Sequence, residues 1–239
     1  MEHPLEDRTV LVIGRGSGIA RAVTLAVRDA GAHVAVAGRD PQRLARDYEG
    51  EAGITAERLD ITDDASIAAL AAKLGPIDHV VSTASARARG LVGELDREKV
   101  RQSFDTKVIG PLMLAKHFAP KIRDGGSFVI FAGVAANKIA VGTLAVAITN
   151  GAAEILAKSL ALELAPIRVN AIAPGVIDTG AWDAFGERGK AEYFAEIRSR
   201  NPVGRIGTVD DIARGVLFAL TNEFLTGQTL HIDGGEQLG

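Results

Sequence analysis

Gly14-Arg15-Gly16-Ser17-Gly18 has the residue types and spacing to hold a phosphate. It follows the apolar run Thr9–Ile13 and opens into a helical pattern from Ile19, so it reads as the strand–turn–helix of a βαβ unit. Glycine permits the tight turn and lets backbone N–H groups approach a pyrophosphate. The following helix aims its partial positive end at that anion. The second apolar run ends Ala37-Gly38-Arg39-Asp40. An acid in the place of Gly38 would accept from a ribose 2′-OH; here that acid is missing and Arg39 follows. The planar donors of Arg39 suit a 2′-phosphate, and Arg15 adds a second charge. NADP(H) is therefore expected ahead of NAD(H), against the plain alternative that Arg39 is a solvated surface arginine. Ser17 stands where a second basic residue would strengthen the case, and Asp40 reads as a helix cap.

These groups need a frame to position them. Short β-branched runs at Thr9–Ile13, His33–Ala37, Thr55–Leu59, Asp78–Ser82, Ser127–Ala132, Ile167–Ala171 and Thr229–Ile232 predict strands. Between them lie helical patterns at Ile19–Ala30, Pro41–Glu49, Asp64–Leu74, Arg97–Ile122, Leu144–Leu164 and Val209–Leu220. Asp40-Pro41 and Thr208 with Asp210 and Asp211 carry helix-start chemistry. Such alternation predicts an α/β fold: a Rossmann-type doubly wound parallel sheet in three α/β/α layers, with ligands beyond the strands' carboxyl ends. Residues 1–239 read as one domain, with a flexible flap at about 180–201.

In this order the motifs resemble those of the short-chain dehydrogenases/reductases over nearly the whole chain. Gly14, Gly18 and Ala20 match the spacing of the family's glycine segment, with Ile13 and Ala20 departing from its Thr and last Gly. Leu59-Asp60-Ile61-Thr62 is similar to the segment whose Asp holds the adenine. Asn170-Ala171-Ile172-Ala173-Pro174-Gly175 resembles the turn beside the nicotinamide, and His231–Gly235 the C-terminal strand. The resemblance implies that Gly14, Arg15, Ser17, Gly18, Ile19, Arg39, Asp60, Ile61, Ala84, Pro174, Gly175, Ile177 and Thr179 line the dinucleotide.

It also implies hydride transfer assisted by Asn, Ser, Tyr and Lys side chains, and these positions differ here. The Tyr position holds Val146, the Lys position Asn150, the Ser position Gly133 and the Asn position Lys107; Ser82-Thr83-Ala84-Ser85 replaces the turn after the fourth strand. The two tyrosines are Tyr48 and Tyr193, of which Tyr193 lies in the flap. The nucleotide end thus reads almost intact while the chemical end is rewritten. Lys107 is the candidate substitute acid, by a pKa lowered through burial. Its alternative is a lysine that snorkels to solvent or pins a phosphate or a carbonyl. Thr143 and Thr149 offer hydroxyls or act as packing groups, and Trp182, in the substrate flap, either covers an apolar ligand or anchors the loop. The expected function is hydride transfer to a small carbonyl if the protein is active. Reduction of ordinary ketones or aldehydes is expected to be negligible, because Val146 has no proton to give and Gly133 cannot polarise a carbonyl; the competing reading is that Lys107 already serves as the acid. Alternatives are a non-redox cyclase or isomerase, and a cofactor-binding pseudoenzyme or partner subunit.

Bulk properties bound the rest. A 239-residue chain that is 47% hydrophobic suits one large α/β core. A net charge of −3 gives no reason to expect a nucleic-acid partner. The absence of cysteine excludes disulfides and thiolate metal sites and suits a reducing cytoplasm. No metal site is expected, since His33, His79 and His117 lack ligand spacing. The N-terminal stretch lacks secretory character, and apolar Ile139–Thr149 is short for a membrane span. The apolar surfaces of the two longest predicted helices imply a homodimer or homotetramer.

Overall fold

The computed structural model describes residues 3–238. Its strands are β1 (Thr9–Ile13), β2 (His33–Gly38), β3 (Ile54–Arg58), β4 (Ile77–Ser82), β5 (Ile122–Phe131), β6 (Arg168–Pro174) and β7 (Thr229–Ile232). All pair in parallel, in the order β3-β2-β1-β4-β5-β6-β7. The order reverses between β1 and β4, so a crevice opens at the carboxyl ends of these two neighbours.

Side-chain alternation along the central strands explains the two-sided covering. Leu11 and Ile13 of β1 face one core, while Val10 and Val12 face the other. The first core is closed by α3 (Asp64–Leu74), α5 (Gly110–Phe118) and α6 (Leu144–Glu163), through Ile67, Leu114, Phe118 and Ala157. The second is closed by α1 (Gly18–Asp29), α2 (Pro41–Asp47) and α8 (Val209–Thr221), through Val23, Leu44, Ile212 and Val216. Each large side chain fully buried this way contributes roughly 1.5–3 kcal/mol. The Asp40 carboxylate accepts from Arg43 N at 2.9 Å, and Thr208 and Asp211 form a reciprocal capping box, as the start signals indicated. At the amino end of β4, away from the crevice, buried Asp78 accepts from Thr9 N, Arg8 and Arg123 at 2.8–2.9 Å. Burial works to raise its pKa, but these donors outweigh it and hold the carboxyl below its ordinary value.

Two sequence expectations need correction. The helix expected over Arg97–Ile122 is broken into α4 (Arg97–Phe104), a π-helical turn Asp105–Ile109, α5 and a short 3-10 turn Ala119–Lys121, and Ile122 already belongs to β5. Pro111 provides the reason: it has no N–H for the carbonyl of Lys107, so the helix widens just before it. The flap is mostly ordered secondary structure, a 3-10 turn Gly180–Phe185 followed by α7 (Gly186–Arg200). The helix expected over Leu144–Leu164 is present as α6, which by length and composition alone, with a mean hydropathy of 1.3, would also be able to cross a membrane. It serves instead as a core helix, with Ala153 and Ala157 fully buried against the sheet.

Candidate active site

The glycine turn is shaped by close approaches. A Cβ on Gly14 would lie 2.2 Å from Thr83 Oγ1 and 2.8 Å from Ala20 Cβ, so a side chain has no room there. Thr83 is itself fixed, because both its N and Oγ1 donate to Ile13 O at 2.9 Å. Gly18 has φ +57°, and a Cβ there would sit 3.7 Å from Thr179 Cβ. Ser17 caps α1 in extended conformation without using its hydroxyl on the helix. Gly14, Gly18, Thr83 and Thr179 thus meet in one crevice over β1, β4 and β6. Pro174 and Gly175 end β6 above it; a Cβ on Gly175 would come 2.7 Å from Asp233 Cα. Ile177 is buried and its carbonyl accepts from Trp182 Nε1 at 2.8 Å. Ile19 and Ala84 are half-buried, and Arg15 is exposed.

At the outer edge, exposed Arg39 lies within electrostatic reach of Asp60. The Asp60 Oδ1 atom accepts from Thr62 Oγ1 at 2.7 Å and from Thr62 N at 3.0 Å. The Thr62 bonds first, and Arg39 and Arg58 to a smaller extent, hold its carboxyl below the ordinary range. Ile61 beside it is buried.

Lys107, Gly133, Val146 and Asn150 come together at the end of β5. Lys107 leaves the π turn, is 8% exposed, and donates from Nζ to Ala132 O at 2.9 Å. A Cβ on the next residue, Gly133, would lie 2.9 Å from Asn150 Nδ2. Asn150 is 3% exposed, and its Oδ1 has no partner within the protein. Val146 is buried one helical turn earlier on the same face of α6. Thr149 and Thr143 spend their hydroxyls on Ala145 O and Ala140 O, so they are packing groups. Burial first, then the charge of Arg87, brings the Lys107 ammonium down to about 7. Tyr193 moves the opposite way, its pKa raised by burial and then by Glu236.

The lowered lysine pKa has a consequence for stability. Between about 7 and the ordinary lysine value, the unfolded chain holds a proton that the folded chain has lost, so stability rises with pH. Below that window both states are protonated and the fold carries the full cost of the buried charge. Lys107→Met is therefore expected to be more stable than wild type at about pH 6, with its advantage shrinking by about 2 kcal/mol between about pH 7 and about pH 9. Urea unfolding across this range checks it; a constant difference would mean that the amine does not titrate there.

The family profile described as "Enoyl-(Acyl carrier protein) reductase" matches residues 13–237. The chain belongs to the short-chain dehydrogenase/reductase family. It is 32% identical to 2-keto-3-deoxy-L-fuconate dehydrogenase of Xanthomonas campestris pv. campestris, over 97% of this chain and 80% of that protein. It is 30% identical to 3-oxoacyl-(acyl-carrier-protein) reductase of Mus musculus, over 97% and 99%. Among solved structures, a small-chain dehydrogenase in complex with NADPH matches with a TM-score of 0.86 and 33% identity, covering 98% of this chain and 100% of that one. By family the protein is an oxidoreductase of the nicotinamide-cofactor class.

In this short-chain dehydrogenase/reductase frame, the structure also brings forward residues that the motifs did not single out. Thr83 closes the glycine turn. Arg87 and Arg89 are exposed, with Arg89 6.0 Å from the Trp182 ring, and the two flap aromatics already noted in the sequence, Trp182 and Tyr193, lie 4.9 Å apart. The signal for the two arginines was their alternation with small residues just past a buried strand end, in Ala84-Ser85-Ala86-Arg87-Ala88-Arg89-Gly90. A cavity of about 500 Å³ opens elsewhere, between Asn201–Gly207 and Asp233–Gly235 at the β7 edge. Its carboxylate Asp211 is already committed to Arg205 and Arg214, so it offers less chemistry than the crevice.

Proposed function

We propose that the protein is an NADP(H)-dependent reductase of a small carbonyl compound in which Lys107 replaces the missing tyrosine as proton donor. The observation that carries this reading is the buried Lys107 amine, with a pKa of about 7, held at the end of β5 beside Gly133 and Asn150. A general acid works best with a pKa near the operating pH, and Lys107 meets that condition while Val146, Gly133 and Asn150 have no proton to give.

The crevice suits the dinucleotide. The close approach at Gly14 and the positive φ of Gly18 keep side chains away from the turn. The open N-terminus of α1, from Gly18 and Ile19, would take the pyrophosphate together with Ser17 and Arg15. Asp60, Ile61 and Ala84 would line the adenosine half, with Arg39 on its 2′-phosphate. Pro174, Gly175, Ile177 and Thr179 would line the nicotinamide half. Asn150 Oδ1 is a buried acceptor that a ribose hydroxyl would satisfy. When bound, the nicotinamide supplies the hydride. The chain's part is to deliver the proton: the Lys107 ammonium gives one to the carbonyl oxygen as the new C–H bond forms, then recovers one from water. Ala132 O holds the amine in place. NADPH oxidation followed by absorbance over a panel of carbonyl compounds, in wild type and Lys107→Met, tests the reading.

The working form is a homo-oligomer, in a reducing cytoplasm that suits a chain without cysteine. On α6, Leu144, Ile148, Ile155 and Leu162 are all exposed and fall on one stripe of the helix. Ile109 and Leu112 extend exposed apolar surface on the neighbouring segment. A self-complementary stripe of this kind pairs about a two-fold axis. Light scattering is expected to give two or four times the chain mass of 25.0 kDa. It is also expected to give a smaller particle for Ile155→Asp. A wild-type monomer at micromolar concentration would remove the proposal.

A further inference from the structure

We propose that the substrate carries a carboxylate held by Arg87 and Arg89, with an apolar body lying against Trp182 and Tyr193. This rests on the active-site reading above and adds the substrate class. The segment after β4 is not a loose loop. Thr83 N donates to Ile13 O, Ser103 Oγ donates to Ala86 O at 2.8 Å, and Gly90 N donates to Gly142 O at 3.0 Å. Ala88, between the two arginines, is buried. Both guanidiniums therefore leave a fixed backbone.

Their charges oppose one another. Arg87 is exposed at its surface yet crowded by neighbouring atoms: desolvation first, then the charge of Arg89, lowers its pKa. Arg87 in turn lowers that of Lys107. Among the described residues neither Arg87 nor Lys107 forms an ion pair, and the influence that opposes the lowering of the Arg87 pKa is Tyr193. Several other arginines of the chain are held in ion pairs: Arg8 and Arg123 share Asp78, Arg28 holds Glu51, and Arg205 and Arg214 share Asp211. The two exposed guanidiniums give the cleft a positive field beside the Lys107 amine, and an anion entering the cleft is attracted by it. Paired guanidinium donors fit a planar carboxylate.

The aromatic side sets the rest of the ligand. The Arg89 guanidinium lies 6.0 Å from the centre of the Trp182 ring, which in turn stacks obliquely on Tyr193 and Phe185. Trp182 is anchored by its bond to Ile177 O. A ligand reaching from Lys107 to Arg89 therefore meets a cation at each end and an aromatic wall beside it. This arrangement suits an oxo acid with a flat or apolar body.

The test uses the full-length protein saturated with NADP⁺, so that binding is read without turnover. Calorimetry compares 4-carboxybenzaldehyde with its neutral ester, methyl 4-formylbenzoate. The acid is expected to bind at least about tenfold tighter than the ester. In the Arg87→Gln/Arg89→Gln double variant that preference is expected to vanish, while NADP⁺ affinity, read in the same instrument, reports that the fold is intact. Equal or weaker binding of the acid, or a preference that survives the double variant, overturns the proposal. Reduction of the two aldehydes by NADPH is measured separately. An acid preference without reduction keeps the carboxylate site and removes the reductase reading; reduction without an acid preference does the reverse.

Discussion

Lys107→Met is expected to slow NADPH-dependent carbonyl reduction by about 10²–10⁴-fold, the usual loss on removing a general acid. NADPH binding should persist, because the amine bonds to Ala132 O and leaves the glycine turn untouched. The pH profile gives an independent signature. A donor with a pKa of about 7 is protonated below that value, so the wild-type rate should level off on the acid side and fall about tenfold per pH unit above it. The methionine variant should lose that dependence. Restoring the tyrosine chemistry is a companion experiment with a steric reason for strong coupling. Gly133→Ser alone places a Cβ 2.9 Å from Asn150 Nδ2, so it should perturb the site. Val146→Tyr alone supplies a phenol with nothing to lower its pKa. Gly133→Ser, Val146→Tyr and Asn150→Lys together remove both obstacles and should exceed the sum of the single effects. Brisk wild-type turnover that survives Lys107→Met would defeat the assignment and send the search for a donor to Tyr193 or bound water. NADPH binding with no turnover in any variant would favour a non-redox cyclase or isomerase, or a partner subunit.

NADPH is expected to bind about ten- to a hundredfold more tightly than NADH, since one charge-assisted contact contributes roughly 1.5–3 kcal/mol. The motive is exposed Arg39 beside Gly38, with Arg15 on the glycine turn as a second charge. The structure sets terms on both sides. A Cβ on Gly38 would lie 3.1 Å from Leu44 and 3.2 Å from Gly14 O, so an acid in that place would need local adjustment. Against this, the carboxylate of Asp47 packs beside Gly16, which puts a negative charge near the turn. Calorimetry with both cofactors and with Arg39→Ala decides the balance. Equal dissociation constants, or unchanged NADPH affinity in Arg39→Ala, would mean that Arg39 is only a surface charge.

Much of the frame was legible in the residues themselves. Strands β1 and β2 carry the continuous apolar runs Val10–Ile13 and Val34–Ala37 because a sheet covered on both faces buries side chains on each, and such runs are visible without coordinates. The glycine turn was legible because its backbone geometry requires specific residues. The flap helix α7 was passed over although its signals were present: Arg188 with Glu192 and Glu196 with Arg200 are pairs one turn apart, and Phe194 and Ile197 form its inner face. The break before α5 was also written in the chain, since Pro111 cannot donate to the carbonyl four residues back.

The sequence by itself determined the strand–helix order, the phosphate-binding turn and the loss of the usual tyrosine and lysine, because each depends on residue type at a given place along the chain. What replaces them was decided by tertiary structure. That Lys107 is buried against Ala132 O, that Asn150 fills the space beside Gly133, and that the charge of Arg87 bears on Lys107 are relations between separate segments of the chain. A lysine in a helix has the same local signature whether it reaches water or a cleft. Its pKa, and so its capacity to give up a proton near neutrality, comes from desolvation and neighbouring charge, which exist only once β4, β5 and the π turn have come together.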